Sequence, residues 1–298
     1  MMRPCIWESG SFTTAGLKVL FHKCLRKEFN MAIFTGYSTN GVPYAKLSDK
    51  GPVLVVLTGS ELEHQPPTKT AQQGFYLGLK RLTQNYSIYL TSRKQNLPKG
   101  YTAQDMSNDV AEMIRRDVRK PVHIMGMSSG GSSAMHLAAD HPDLINKLIL
   151  AMTGYRLNPH GREVAAFWRD LALAGDWPAL YQRMGVDVAE GSTPEWLTRL
   201  MMRWFGKALL GSPKDGSDFA IVLDSDINLD VADKLASIRH STLVIGGEQD
   251  PFYGADNIRE TARLIPHAEL CLLKDGGHAV VKTQTKAFET AILNFLQN

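Results

Sequence analysis

The chain has 298 residues, of which 44% are hydrophobic, 21% charged and 8% aromatic, a composition typical of globular proteins with a sizeable core. It excludes disordered, collagen-like and coiled-coil proteins. The 33 Lys and Arg residues and 30 Asp and Glu residues give a net charge of +3, all of which is carried by residues 1–30. Because phosphate backbones are bound by many cations on one face, the neutral remainder argues against a nucleic-acid partner.

The cysteines and the apolar runs limit the class of protein further. The three cysteines, Cys5, Cys24 and Cys271, have no C-x-x-C spacing, so we predict neither a zinc site nor a disulfide framework. The longest apolar runs are far shorter than the ~18–20 residues of a membrane span. The N-terminus has no apolar segment of signal-peptide length, and we therefore expect a cytoplasmic protein.

Residues 1–30 differ in pattern from the rest of the chain. Two interpretations stay open: a basic helix that binds a membrane surface, or an extension without a fold that precedes a natural start at Met31. The first rests on apolar residues at helical spacing among lysines and arginines: Leu17, Leu20, Phe21 and Leu25.

From residue 31 onward, strand and helix patterns alternate. The Asn40-Gly41 pair predicts a two-residue hairpin, and the apolar run 53–57 predicts a strand buried on both faces. Further strands are expected at 86–90, 122–127 and 147–152, with helices at 68–82, 102–118 and 129–139 between them. This alternation indicates βαβ units and a mainly parallel sheet.

The alternation of strand and helix patterns stops at residue 153 and resumes near residue 242. The intervening chain contains helical patterns at 163–174, 177–184 and 194–210, and the final part predicts strands at 242–245 and 269–273 with helices at 255–264 and 282–296. One α/β core interrupted by a helical insertion explains this better than two tandem domains. We assign the parts as an extension (1–30), core (31–154), helical cap (155–230) and core (231–298).

The stretch Gly126-Met127-Ser128-Ser129-Gly130 is the only G-x-S-x-G pattern in the chain. Two glycines let a strand turn sharply into a helix and expose the central serine at the edge of the sheet. An apolar strand pattern ends at Gly126 and a helix pattern begins at Ser129, which is the context that this motif requires. Ser128 is therefore a candidate nucleophile.

With this motif in this context, residues 33–296 resemble the α/β-hydrolase superfamily, in particular its esterase-like and lactonase-like serine hydrolases with a helical lid. The resemblance implies an α/β fold whose mostly parallel central sheet is flanked by helices and carries an inserted helical cap. It also implies a Ser-His-Asp triad in the chain order serine, acid, histidine, with no cofactor and no metal.

The other two triad residues are sought by strand position. Asp250 follows the buried strand pattern ending in Gly246-Gly247 and matches the family's acid; its nearest rival is Glu248. His278 follows Asp275-Gly276-Gly277, after a strand and before the last helix, and matches the family's histidine loop. Asp250 is expected to hold the imidazole in its productive tautomer.

The oxyanion hole is expected to use two backbone N–H groups, from Ser129, the residue after the nucleophile, and from Ser60 in the loop after an earlier strand. Many relatives have His-Gly in that loop, whereas this chain has Thr58-Gly59. Backbone donors do not depend on that side chain, although the loop geometry can differ.

The cap supplies candidates for a substrate pocket. Apolar and methionine side chains there can form an adaptable surface, or they can pack the helices of the cap against each other. A cation just past a strand end can bind a substrate carboxylate or only a surface acid. The pocket candidates are Trp168, Trp204, Met201 and Arg156. Helix caps or turns, rather than metal ligands, are expected at Asp224, Asp226 and Asp230.

These residues predict a serine hydrolase that cleaves carboxylic esters or lactones of small, mostly apolar compounds through an acyl-enzyme. Dehalogenases and epoxide hydrolases of this fold need a carboxylate at position 128, so the serine excludes them. A carbon–carbon bond hydrolase or a cofactor-free haloperoxidase or perhydrolase stays open, as does a receptor that retains the triad with little turnover. We expect a small-molecule substrate, and homo-oligomerisation stays open.

Overall fold

The structure, a computed structural model, describes residues 34–190 and 193–298. The predictions for residues 1–30, including both interpretations of the basic segment, lie outside the described residues.

The first part of the described chain alternates strands with helices. In chain order it forms β1 (Phe34–Tyr37), β2 (Pro43–Lys46), β3 (Val53–Leu57), α1 (Lys69–Gly78), β4 (Ser87–Thr91), α2 (Ala103–Met113), β5 (Val122–Met127), α3 (Ser129–Asp140) and β6 (Ile145–Ala151).

Helices follow β6, and two more strands complete the sheet. In chain order these elements are α4 (Pro159–Leu173), α5 (Trp177–Asp187), α6 (Glu195–Leu210), α7 (Ser217–Ile227), α8 (Ala232–Leu235), β7 (Thr242–Gly247), α9 (Gly254–Leu264), β8 (Glu269–Leu273), α10 (Val280–Thr283) and α11 (Thr285–Gln297).

The strands form one eight-stranded sheet in the order β1-β2-β4-β3-β5-β6-β7-β8. From β4 to β8 all neighbours are parallel, and β1 and β2 extend the sheet as an antiparallel hairpin. Every residue of β3 is buried, as expected for a strand covered by helices on both faces. The carboxyl ends of β3, β5 and β7 lie at one edge, where open parallel sheets bind their ligands.

Apolar clusters fill both faces of the sheet. One contains the buried faces of α2, α3 and α9, and the other contains that of α11. Phe288 and Ile292 of α11 are fully buried at i, i+4 spacing, which places them on one helical face. Full burial of such side chains stabilises a fold by about 1.5–3 kcal/mol each.

The Asn40-Gly41 pair lies in a hairpin, but the prediction of a two-residue turn is wrong. Tyr37 pairs with Pro43, so the loop spans residues 38–42. The Asn40 side chain accepts a hydrogen bond from the Ser38 hydroxyl (2.7 Å) and donates one to the carbonyl of Asp109 in α2 (2.8 Å). These contacts, one of them distant in sequence, stabilise a longer loop.

Between β6 and β7 the described residues form helices. Helix α4 buries Val164, Ala165, Trp168 and Ala172, a spacing of three to four residues that defines one helical face. The helix α7 was not delimited by the sequence patterns. No helix in the part of the chain that the structure describes is both long enough and apolar enough to cross a bilayer.

Candidate active site

Ser128 occupies a strained turn between β5 and α3. Its backbone has φ 51° and ψ −126°, and its N–H donates to the carbonyl of Ala151 at the end of β6 (2.9 Å). A non-glycine residue in such a conformation costs about 1–3 kcal/mol, and such strain is concentrated at functional sites. The surrounding structure therefore holds the backbone of Ser128 in this conformation.

The two motif glycines make this turn sterically feasible. A Cβ on Gly126 would lie 2.5 Å from the Cβ of Ala134, so β5 and α3 can pack closely only with glycine there. A Cβ on Gly130 would lie 2.2 Å from the carbonyl oxygen of Leu57, at the end of β3. Both positions of the G-x-S-x-G pattern thus serve close packing around Ser128.

His278 bridges Ser128 and Asp250. Its Nε2 lies 2.9 Å from the Oγ of Ser128, and its Nδ1 lies 2.7 Å from the Oδ2 of Asp250. With Nδ1–H donating to the carboxylate, the lone pair of Nε2 faces the serine hydroxyl and can accept its proton. This is the geometry of a nucleophile, a general base and an orienting acid.

Asp250 is 3% exposed, and both of its oxygens accept hydrogen bonds. Oδ2 faces His278, while Oδ1 accepts the backbone N–H groups of Phe252 (2.9 Å) and Tyr253 (3.0 Å). These bonds fix the orientation of the carboxylate. The rival Glu248 is instead about half exposed and faces Arg259 at 3.7 Å.

The loops that carry the acid and the histidine are joined through their backbones. The N–H of Gln249 donates to the carbonyl of Gly276 (2.7 Å). A Cβ on Gly247 would lie 2.1 Å from the carbonyl oxygen of Gly277, so only glycine permits this approach. The glycines on both sides therefore set the distance between Asp250 and His278.

Two aromatic rings pack against the imidazole of His278. The Phe252 ring meets it edge-on at 4.7 Å between centroids, and the Tyr253 ring lies nearly parallel to it at 6.1 Å. Burial, together with the carboxylates of Asp226 and Asp250, raises the pKa of Tyr253 well above its usual range. The rings restrict rotation of the imidazole, and no sequence motif indicates them.

Glu190, three positions after the end of α5, contacts the loop that carries His278. Its carboxylate accepts the backbone N–H of Ala279 and, at 2.8 Å, the hydroxyl of Thr283. A Cβ on Gly277 would lie 2.7 Å from an Oε1 of Glu190, so this contact is tightly packed. Glu190 thereby holds the chain that follows His278 and packs closely against Gly277, contacts that the sequence did not indicate.

The loop after β3, which carries the predicted oxyanion-hole residue Ser60, passes beside Ser128. A Cβ on Gly59 would lie 3.3 Å from the Cβ of Ser128. Among the hydrogen bonds of residues 34–190 and 193–298, none is donated by the backbone N–H of Ser60 or of Ser129. The two amides thus have no acceptor among the described residues, and their role in an oxyanion hole stays a prediction.

The four pocket candidates lie in different environments. Trp168 is 7% exposed and packs against Phe252 at 5.7 Å between ring centroids, which places it one ring away from His278. Trp204 and Met201 are 74% and 44% exposed on α6. The buried residues of α6 are Thr198 and Gly206, and a role of Trp204 and Met201 in a substrate pocket stays a prediction.

Arg156 pairs with a surface acid, the alternative considered for it. It lies 3.4 Å from Asp230 with both side chains more than two-fifths exposed. Asp230 accepts the N–H of Ala232, as expected for a turn residue. Asp226 differs from the expectation of a cap or turn: it is buried within α7 and accepts the Ser132 hydroxyl at 3.0 Å. No His, Cys, Asp or Glu cluster suited to a metal occurs within the described ranges.

The family is established by comparison with known proteins. The model of the alpha/beta hydrolase family matches residues 75–291. The chain therefore belongs to the alpha/beta hydrolase family, and the superfamily and fold expected from the G-x-S-x-G context are confirmed.

Similar proteins include several kinds of hydrolase. A candidate carbamate hydrolase, RutD, of Caulobacter sp. strain K31 is 25% identical over 211 residues, which are 68% of this chain and 75% of that protein. The enol-lactonase of Burkholderia xenovorans LB400 has a similar structure, with a TM-score of 0.71 and 19% identity over 89% of this chain and 100% of that one.

A third similar structure is the meta-cleavage product hydrolase CumD of Pseudomonas fluorescens IP01, with a TM-score of 0.66 and 17% identity over 90% of this chain and 98% of that one. At these identities the structural matches establish the fold alone. The family and the names of the relatives identify the protein as a hydrolase.

Proposed function

We propose that this hydrolase cleaves carboxylic esters or lactones of small, mostly apolar compounds through an acyl-enzyme formed on Ser128. The observation that carries the proposal is the continuous hydrogen-bond chain from the Oγ of Ser128 through His278 to Asp250, with distances of 2.9 and 2.7 Å. Such a chain activates a hydroxyl group that is a weak nucleophile at its ordinary pKa.

The first half of the reaction forms the acyl-enzyme. The Oγ of Ser128 bonds to the substrate carbonyl carbon while its proton moves to Nε2 of His278, and the carbonyl electrons become an oxyanion. His278 then gives that proton to the leaving oxygen as the carbon–oxygen bond breaks. Asp250 stays ionised and stabilises the imidazolium throughout.

Water completes the cycle by the same route. His278 takes a proton from water as the water oxygen bonds to the acyl carbon, and it returns the proton to Oγ of Ser128 as the acid leaves. The backbone N–H groups of Ser60 and Ser129 stabilise the oxyanion in both halves. Removing one such donor typically costs 10²–10³-fold in kcat.

The names of similar proteins support carbonyl substrates of this type. An enol-lactonase shares the fold, and the RutD relative carries the name of a carbamate hydrolase. Attack by Ser128 on a carbamate would form a carbamoyl-enzyme through the same steps, so carbamates are the second candidate class. Carbon–carbon substrates stay an alternative class, which fold similarity alone does not favour.

A substrate panel tests the proposal. Turnover of p-nitrophenyl esters from acetate to palmitate, of a phenyl carbamate and of small lactones is measured for the wild-type protein, Ser128→Ala and the control Ser241→Ala, an exposed serine. We expect turnover of short esters or lactones that Ser128→Ala abolishes and Ser241→Ala retains. Equal rates in all three proteins would contradict the proposal and direct attention to carbon–carbon substrates and then to a receptor role.

A further inference from the structure

Arg93 is a buried cation that contacts both sides of the candidate oxyanion hole. It lies just after β4 and is 7% exposed. Its Nη1 donates to the carbonyl oxygen of Gly59 at 2.7 Å, and its Nη2 donates to the Oγ of Ser129 at 2.8 Å. The guanidinium therefore joins the loop after β3 to the first residue of α3.

The bond to Gly59 acts directly on the amide of Ser60. The Gly59 carbonyl and the Ser60 N–H belong to one peptide unit, and in a trans peptide these two groups point in opposite directions. Anchoring the oxygen on Arg93 therefore fixes the direction of the N–H, which points away from the guanidinium. A charged donor on the carbonyl also polarises the peptide, which strengthens its N–H as a donor.

Arg93 forms no direct ion pair with a carboxylate among the described residues. Both hydrogen bonds that the described residues form with this guanidinium go to uncharged oxygens, and its Nε has no partner among them. Burial lowers the pKa of Arg93, and the carboxylates of Asp226 and Glu61 oppose that shift from a longer range. Burying a guanidinium cation at this position has a desolvation cost, which an apolar side chain would not have.

We propose that Arg93 is a positioning residue for the oxyanion hole, holding the Ser60 and Ser129 amides in the arrangement that binds a developing oxyanion. The inference rests on the proposed function, because it assigns Arg93 a role in the same reaction. Arg93 acts through the Gly59–Ser60 peptide and through Ser129, without touching the substrate.

The test compares Arg93→Met, which has no donors, with Arg93→Lys, whose single ammonium group cannot reproduce the fork of the guanidinium. The control is Thr91→Val, two positions before Arg93 in the chain. This substitution removes a buried hydrogen bond from the Thr91 hydroxyl to the Val56 carbonyl (3.1 Å). For each protein, kcat and KM are measured on an ester that the wild type hydrolyses, together with the affinity for an alkyl boronic acid, which forms a tetrahedral adduct on Ser128.

We expect kcat to fall about 10²-fold in Arg93→Met and less in Arg93→Lys, with KM changed less than threefold, because oxyanion donors act mainly in the transition state. Boronate affinity should fall in proportion to kcat/KM. Thr91→Val should keep both values near those of the wild type even where its melting temperature drops. A folded Arg93→Met protein with wild-type kcat and boronate affinity would overturn the inference.

A milder variant covers the case in which Arg93→Met does not fold. Ser129→Ala keeps the backbone N–H and removes the Oγ, which accepts from Arg93 and also hydrogen-bonds to the buried Asp226 carboxylate, and we expect about a tenfold loss in kcat with a parallel loss of boronate affinity. Unchanged values in this variant and in Arg93→Lys would also overturn the inference. Failure of the proposed function would look different, since turnover would then not depend on Ser128 at all.

Discussion

Nε2 of His278 lies 2.9 Å from Oγ of Ser128, although 150 residues separate the two along the chain. Ser128 follows β5, whereas His278 follows β8 at the edge of the sheet. The histidine loop reaches the serine because it lies directly on the end of β7, where Gly247 leaves room for its backbone. The parallel sheet and these glycines together create the contact.

Asp250→Asn should keep the fold and remove most activity. The amide oxygen can still accept the N–H groups of Phe252 and Tyr253, as Oδ1 does now. The amide NH₂ would then face Nδ1 of His278 and favour the tautomer that cannot accept the serine proton. We expect kcat to fall by about 10³–10⁴-fold, as in serine proteases with the same change.

Steady-state kinetics and thermal unfolding of Asp250→Asn, with Glu248→Gln as the control, check this prediction. Glu248 is the rival carboxylate on the same loop, and its nearest cation is Arg259. Near wild-type activity in Asp250→Asn combined with a large loss in Glu248→Gln would reverse the assignment of the acid.

Gly130→Ala should destabilise the protein. The new Cβ would lie 2.2 and 2.5 Å from the carbonyl oxygens of Leu57 and Thr58, so β3 and α3 must separate. We expect a loss of about 1–3 kcal/mol in the free energy of unfolding, measured by urea denaturation, together with reduced activity.

Gly74→Ala is the matched control for Gly130→Ala. Gly74 lies inside α1, and a Cβ there meets nothing within 4 Å. Alanine should therefore stabilise the protein by about 0.5–1 kcal/mol. Equal effects of the two substitutions would argue against the close packing around the Ser128 turn.

Glu190→Ala should lower kcat with little change in stability. The carboxylate holds the N–H of Ala279 and the hydroxyl of Thr283, on the C-terminal side of His278. Small displacements of a catalytic group can reduce rates up to about 10²-fold, and we expect a loss of 10-fold or more. The control is Glu195→Ala, which removes an exposed carboxylate that pairs with Arg199 in α6. Equal kinetics in the two variants would contradict a role for Glu190 in positioning the histidine loop.

Asp226 should make stability depend on pH. Burial raises its pKa from 3.8 to about 6, although Ser129, Arg93 and Ser132 partly oppose the shift. Between these two pH values the folded state binds the proton of Asp226 more tightly than the unfolded state does. The contribution of Asp226 to the free energy of unfolding therefore decreases as pH rises.

Asp226→Asn removes this titration. The wild type should therefore lose stability relative to the variant between pH 4.5 and pH 7, as measured by urea denaturation of both proteins at each pH. If the difference in the free energy of unfolding between the two proteins is the same at pH 4.5 and pH 7, Asp226 does not titrate in this range.

The sheet was predictable because its strands carry strong local signals. The strand β5 has the bounds expected from its apolar run between Pro121 and the serine turn. The approach of Ser128, Asp250 and His278 followed from one motif and the order of strands, since parallel strands bring their carboxyl ends to one edge. The glycines that impose a particular backbone geometry can be recognised from the residues next to them in the sequence.

Contacts between distant polar residues were not predictable in this way. Arg93 follows a strand in a polar stretch that resembles an exposed loop, and its two partners are 34 and 36 positions away. Glu190 contacts Ala279 across 89 positions. The helical pattern of α6 indicated an apolar surface but not its environment, so the exposure of Trp204 was not predictable from it.

The most direct test of the central claim is covalent labelling with a fluorophosphonate, which reacts much faster with an activated serine than with an ordinary one. Labelled sites are mapped by mass spectrometry in the wild type, Ser128→Ala, His278→Ala and the exposed control Ser241→Ala. We predict one modified residue, Ser128, in the wild type and in Ser241→Ala, no label in Ser128→Ala and strongly slowed labelling in His278→Ala. Absence of label at Ser128, or equal labelling of Ser128→Ala at another residue, would contradict the account.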